Sequence, residues 1–192
     1  MSRNLNNFRA MILAAGLGTR LRPLTHKTPK PLLPVNGRPM IDFSLARVKK
    51  AGITNVIINL HYLGGQIKKY VGSGRRYGLK IRYLHEPKIL GTGGGIKNAE
   101  RFLNGGPFVV INSDTLIDID LKKVICGKYM FCGVQILEPI IFKFLKKPSC
   151  LIESGYKKLL RARLPVYTFV HKGYWNDIGT LQRYKSGSGL TF

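Results

Sequence analysis

Residues 11–35 read MILAAGLGTRLRPLTHKTPKPLLPV. An apolar run, Met11–Ala15, stops at Gly16-Leu17-Gly18-Thr19-Arg20, and Lys30 comes later, between Pro29 and Pro31. The run has the composition of a buried strand. The glycines that end it leave backbone N–H groups open to the close approach of an anion. Arg20 and Lys30 add positive charge where a polyphosphate would lie. This is not the Walker loop, which needs Lys-Ser/Thr directly after its last glycine. Nor is it the dinucleotide fingerprint, since a third glycine at the required spacing is missing.

Working outward, apolar runs alternate with segments of helical period. Met11–Ala15, Asn55–Leu60, Leu79–Leu84 and Phe108–Asn112 read as buried strands rich in Ile, Val and Leu. Between them, Pro39–Ala51 reads as a helix closed by Gly52, Leu63–Val71 as one closed near Gly72, and Gly95–Leu103 as one stopped by Asn104-Gly105-Gly106. The alternation predicts an α/β fold: a Rossmann-like, mostly parallel sheet with helices on both faces. Ligands of such sheets bind beyond the carboxyl ends of the strands. Gly16–Arg20, Glu86 and Asp114 each come just after a predicted strand end and are expected to share one crevice. After Asp120 the reading is a short helix beginning at Leu121–Val124, a strand Tyr129–Leu137, a helix Ile140–Leu145, a longer helix near Glu153–Arg163 and a strand Val166–Val170.

A chain of 192 residues with 44% hydrophobic content suits one globular domain. No apolar run approaches the roughly 20 residues of a membrane span, and Asn4–Arg9 is not the start of a signal peptide. The expectation is a cytoplasmic chain with no membrane partner. Cys126, Cys132 and Cys150 have no metal-binding spacing, and their odd number argues against a disulfide framework. The charge is unusual, with 32 Lys and Arg against 9 Asp and Glu, formally +23. That balance keeps a basic nucleic-acid-binding protein among the alternatives. The cations come as scattered doublets, such as Lys49-Lys50 and Arg75-Arg76, with no interleaved aromatics for base stacking. They read more simply as a solvated basic surface that attracts anionic substrates.

The opening stretch resembles the signature of the sugar-1-phosphate nucleotidylyltransferases, or NDP-sugar pyrophosphorylases. Their G-x-G-T-R-x-x-P-L-T followed by P-K-P appears as Gly16–Thr25 and Pro29-Lys30-Pro31. Their later W-x-D-I-G-T appears as Trp175–Thr180. Gly91-Thr92-Gly93-Gly94-Gly95-Ile96-Lys97 is most similar to the N-acetylmuramate-1-phosphate uridylyltransferase and mannose-1-phosphate guanylyltransferase-like branch. The resemblance implies a nucleotide-diphospho-sugar transferase fold over 1–192, with a nucleotide-binding half at 1–120 and a sugar-binding half at 127–185. It implies transfer of a nucleotidyl group from UTP or GTP to a sugar 1-phosphate. Arg20 and Lys30 would be catalytic. Ala14, Ala15, Gly16, Gly18, Thr19, Glu86, Gly91, Thr92 and Gly93 would bind the nucleotide, and Asn112, Gly133 and Glu153 the sugar. Asp114 and Asp177 would hold Mg²⁺.

The residues support these roles with alternatives beside them. Asp114 ends an apolar strand, where a lone carboxylate is costly and needs a cation or a capping role. Asp177 either completes a Mg²⁺ site, since Mg²⁺ favours a couple of carboxylates with phosphate and water oxygens, or caps a helix at Thr180–Lys185. The four glycines of Gly91–Gly95 either let a flat base lie on bare backbone or form a permissive turn. Glu86, as an acceptor, suits guanine N1–H and N2–H or uracil N3–H. His61, His85 and His171 read as structural. The family places several dozen residues, including a lysine for the sugar phosphate, where only Thr115–Cys132 intervenes here. The sugar half is therefore expected to be shortened, and an NTP-binding homologue without turnover stands as a second alternative.

Overall fold

The computed structural model describes residues 8–119, 121 and 132–187. A five-stranded sheet in the order β5-β4-β1-β6-β8 forms the centre. Its strands are β1 (Arg9–Leu13), β4 (Asn55–Leu60), β5 (Lys80–His85), β6 (Phe108–Asn112) and β8 (Val134–Leu137). The first four are parallel, and β8 runs antiparallel to β6. Between them lie α1 (Met40–Lys50), α2 (Gly64–Val71), α3 (Gly91–Asn98) and α4 (Glu100–Leu103). The chain ends with α5 (Lys157–Arg161) and α6 (Leu181–Gly187). Two short ribbons complete it: β2 (Pro34–Val35) with β3 (Arg38–Pro39), and β7 (Thr115–Ile117) with β9 (Trp175–Asp177).

The period-2 alternation of strand side chains sorts the core into two layers. Ala10 and Ile12 of β1, Val56 and Ile58 of β4 and Val109 and Ile111 of β6 pack against Ile41, Leu45 and Val48 of α1 and Ile67 and Val71 of α2. The intervening Met11, Ile57, Phe108 and Val110 pack on the opposite face, against Ile96 of α3, Leu103 of α4 and Leu159 of α5. Both faces are covered, which is why the strands read as nearly unbroken apolar runs. Asp42 in the first turn of α1 and Arg47, Lys49 and Lys50 in its last turn complement the helix dipole.

A third apolar cluster holds the site together. Leu21, Leu33, Val35 and Met40 meet Leu116 and Ile178. This ties the loops beyond β1 to the β7–β9 ribbon.

Several elements depart from expectation. The glycine-rich segment does not precede its helix but forms the first turns of α3, and the helix breaks at Ala99 instead of running on to Leu103. Glycine favours helix poorly. Here packing decides, because Cβ atoms at Gly91, Gly93 and Gly94 would meet the backbone or side chain of 148–151 at 2.6–3.1 Å. Pro139–Lys143 is a 3₁₀ turn, and the expected long helix is a π-turn, Ile152–Tyr156, running into the short α5. Val166–Val170 is not a strand; Tyr167 is 71% exposed, and no strand of the described residues pairs with the segment. The expected strand from Tyr129 is seen as β8, while its start and the expected helix at 122–124 lie outside the described residues.

Ile58 sits fully buried at the centre of β4. Ile58→Ala is expected to cost about 2–5 kcal/mol, read as a lowered urea midpoint with the slope unchanged. Leu160→Ala, on the exposed side of α5, should stay within about 0.5 kcal/mol.

Candidate active site

The parallel register places Leu13 level with both Asn59 and Asn112. The loops leaving these strands therefore emerge at one edge of the sheet. A cavity of about 230 Å³ opens there, lined by Ala14, Ala15 and Gly16 after β1, Lys30 from the next loop, Glu86 after β5, Thr92 of α3, and Asn112 and Asp114 at the end of β6.

At one end of the cavity the chain presents phosphate-type chemistry. Gly16 has nothing within 4 Å of where a Cβ would stand, so its backbone is open to a close-approaching group. Gly18 is left-handed at φ +65°, and its carbonyl accepts the Thr25 hydroxyl at 2.8 Å. That conformation bends the chain into the 3₁₀ turn Thr19–Leu21 carrying Arg20. The Lys30 ammonium donates to the Asp114 carboxylate. Antiparallel pairing sets Thr115 opposite Asp177, and the Ile178 N–H donates to the Asp114 carbonyl at 3.1 Å. Two carboxylates far apart in sequence thus stand side by side. Gly179 leaves Asp177 and Arg20 as neighbours, for a Cβ there would lie 3.2 Å from Asp177 Oδ2 and 3.5 Å from Arg20 Nη1. Arg183 of α6 approaches Asp177 Oδ2 at 3.4 Å.

Burial first, and then the nearby Asp114 charge, hold the Asp177 carboxyl above its ordinary acidity range, against the opposing pull of Lys30, Arg183 and Arg20. The shift reflects a carboxylate partly withdrawn from water beside a second one. Among the described residues no group of three or more His, Cys, Asp or Glu is assembled for a metal ion. A divalent ion here would rest on two carboxylates plus oxygens from a ligand, the donor set that suits Mg²⁺.

At the other end Glu86 is only 1% exposed. Its Oε1 accepts from Asn59 Nδ2 at 2.8 Å and its Oε2 from the Leu90 N–H at 3.3 Å. Asn59 Oδ1 accepts the Ala14 N–H at 2.9 Å. His61 Nδ1 lies 2.7 Å from the Glu86 carbonyl, a structural use of that histidine.

Of the residues singled out in the sequence, the cavity gathers Ala14, Ala15, Gly16, Lys30, Glu86, Gly91, Thr92, Asn112 and Asp114. Arg20 and Asp177 stand together beside Asp114. Gly133 lies against Thr115 and Asn112. Gly18 and Thr19 lie outside the cavity lining, in the turn that carries Arg20, and two further residues are placed otherwise. Gly93 faces Ser149 and Leu151, so its lack of a side chain makes room for that segment. Glu153 is largely exposed and pairs with Lys157 at 2.7 Å, one helical turn along, outside the cavity lining. Asn59 and Arg183 escaped the sequence reading. Asn59 sits inside an apolar strand run, and Arg183 is one of 32 basic residues.

The model of the Nucleotidyl transferase family matches residues 9–128. An N-acetylmuramate alpha-1-phosphate uridylyltransferase of Neisseria meningitidis is 53% identical over 113 residues, covering 58% of this chain and 49% of the relative. A mannose-1-phosphate guanylyltransferase of Mycobacterium tuberculosis is 41% identical over 226 residues, covering 93% of this chain and 63% of the relative. The chain thus spans about half to two thirds of the length of these relatives. The second alignment is much longer than the part of this chain it uses, so that relative carries several dozen residues with no counterpart here. In fold the chain is similar to HddC of Yersinia pseudotuberculosis, with a TM-score of 0.75 at 23% identity over 94% of this chain and 98% of that one.

Because the folded state raises the Asp177 pKa, ionising this group opposes folding. The stabilisation is complete below the ordinary carboxylate pKa and is lost as pH rises through the raised value. Asp177→Asn should therefore raise the metal-free Tm at pH 7, and the gain should disappear in thermal melts below about pH 4. A Tm gain independent of pH would show that ionisation of Asp177, opposed by burial and by Asp114, is not its cause.

Proposed function

Because this chain belongs to the nucleotidyl transferase family, we propose that it transfers a nucleotidyl group from UTP or GTP to a sugar 1-phosphate, giving an NDP-sugar and pyrophosphate. The observation that carries this reading is the meeting of Gly16–Arg20, Lys30, Asp114 and Asp177 at one end of a cavity whose other end holds Glu86. Phosphate chemistry and base-reading chemistry are thereby set in line. The base would lie in the cavity, with the phosphates extending into the cleft towards Arg20.

In this reaction an oxygen of the sugar phosphate attacks the α-phosphorus. A new P–O bond forms as the bond from the α-phosphorus to the bridging β-oxygen breaks, and the electron pair leaves with pyrophosphate. The nucleophile is already an anion, so no general base is needed. Catalysis is placement and charge neutralisation. In our reading the open amides at Gly16–Thr19 and the Arg20 guanidinium take the β- and γ-phosphates, and Lys30 turns from Asp114 to the α-phosphate as the ligand enters. Asp114 and Asp177 would hold Mg²⁺, which supplies positive charge between the nucleotide and the sugar phosphate. Asn112 and Gly133 line the acceptor side. Glu86 accepts from a base that offers a ring N–H at its Watson–Crick edge, N3–H of uracil or N1–H of guanine, where cytosine and adenine present a ring acceptor instead.

The shortened sugar half supports a second reading, nucleotide binding without transfer, since Glu153 turns to Lys157 and several dozen residues of the relatives are missing. Pyrophosphate release with a panel of sugar 1-phosphates separates the two. On the first reading, Lys30→Ala cuts turnover by about 10²–10³ while the melting temperature stays within a few degrees. An unchanged rate removes Lys30 from the chemistry. Nucleotide binding with no pyrophosphate released from the nucleotide in the presence of any sugar 1-phosphate establishes the second reading.

A further inference from the structure

Asn59 is 3% exposed, and both ends of its amide are used. The oxygen accepts the Ala14 N–H after β1, and the nitrogen donates to Glu86 after β5. Only this orientation of the amide works, since an N–H needs an acceptor and a carboxylate needs a donor. One side chain from β4 therefore links the strands on either side of it at the cavity lip. The helix opposite is shaped to admit this pair. A Cβ at Gly95 of α3 would lie 2.9 Å from both Asn59 Nδ2 and Glu86 Oε1. Glycine inside a helix costs about 1 kcal/mol against alanine, so space for the pair accounts for the residue. The Glu86 backbone is fixed as well, by its N–H to the Leu60 carbonyl at 2.8 Å and by His61 on its carbonyl.

We infer that Asn59 is the positioning residue for nucleobase selection, fixing the Glu86 carboxylate and the Ala14 strand end as one rigid reading edge. The inference rests on the proposed nucleotide reading and adds a residue to it. A carboxylate held on one side by two protein donors has its remaining lone pairs aimed in a set direction. It then discriminates between bases, because a base lacking the matching N–H leaves a buried acceptor unmatched. Without Asn59 the carboxylate swings and that selectivity fades, while the phosphate end of the site is untouched.

The test compares Asn59→Leu, with the same branching at Cγ but without either hydrogen bond, with the parent chain. Dissociation constants are measured calorimetrically for UTP, GTP, CTP, ATP and inorganic tripolyphosphate, each with Mg²⁺. The expected result is a loss of at least about tenfold in affinity for the preferred nucleotide and near-equal binding of all four. Tripolyphosphate should hold within about twofold. Retained discrimination, or parallel loss of tripolyphosphate, overturns the positioning role. If Asn59→Leu does not fold, Asn59→Asp, which sets two carboxylates against each other, is compared with the double variant N59D/E86Q. In the double variant the amide introduced by E86Q donates to the carboxylate introduced by N59D, and the Ala14 N–H keeps its acceptor. The double variant should therefore regain the melting temperature lost in the single one and show an altered base preference. Recovery without a change of preference, or no recovery, speaks against the role. A parent chain that binds all four nucleotides alike fails the nucleotide reading itself.

Discussion

Two carboxylates standing together at the carboxyl edge of the sheet constrain everything around them. The pairing of β7 with β9 sets Asp177 opposite Thr115, and so beside Asp114. Burial and mutual repulsion oppose this arrangement, as the raised Asp177 pKa records. Packing holds it in place. Leu116 of β7 and Ile178 just after β9 are clamped by Leu21, Leu33, Val35 and Met40 from the loops that carry Arg20 and Lys30. One small apolar cluster therefore carries two acids on one side and two cations on the other. The charges are brought together by hydrophobic burial elsewhere, not by their own attraction.

The rest of the architecture supplies direction. Four parallel strands deliver their ends to the same edge, and both faces of the sheet are covered by helices. The phosphate-type end and the Glu86 end are thus fixed at a set separation by the sheet itself, with β1 and β4 between them. The mouth carries positive charge from Arg20 and Lys30, and the chain as a whole carries +23. Such a field draws anionic ligands toward the cleft before any contact forms.

Much of this was legible from residue order alone. Buried parallel strands have little choice of composition, so Asn55–Leu60 and Phe108–Asn112 matched their observed bounds. The convergence of Gly16–Arg20, Glu86 and Asp114 came from strand polarity. What could not be read depended on contacts far away in sequence. The glycines of α3 also make room for Pro148–Leu151, some 55 residues on, a packing need that residue order does not reveal. Val166–Val170 has strand composition and no strand edge beside it. Glu153 pairs locally with Lys157 and lies outside the cavity lining. Asn59 is hidden because a single amide in an apolar run looks like a tolerated interruption, and only the fold shows that both its polar atoms are spoken for.

The most direct test of the paired-carboxylate account is a crystal grown with UTP or GTP and Mn²⁺, with anomalous scattering used to locate the metal. The account predicts a peak within coordination distance, about 2.0–2.3 Å, of both Asp114 and Asp177, with triphosphate density running from it to Gly16–Arg20. A nucleotide bound with its metal elsewhere, or with its phosphates pointing away from that loop, would contradict it.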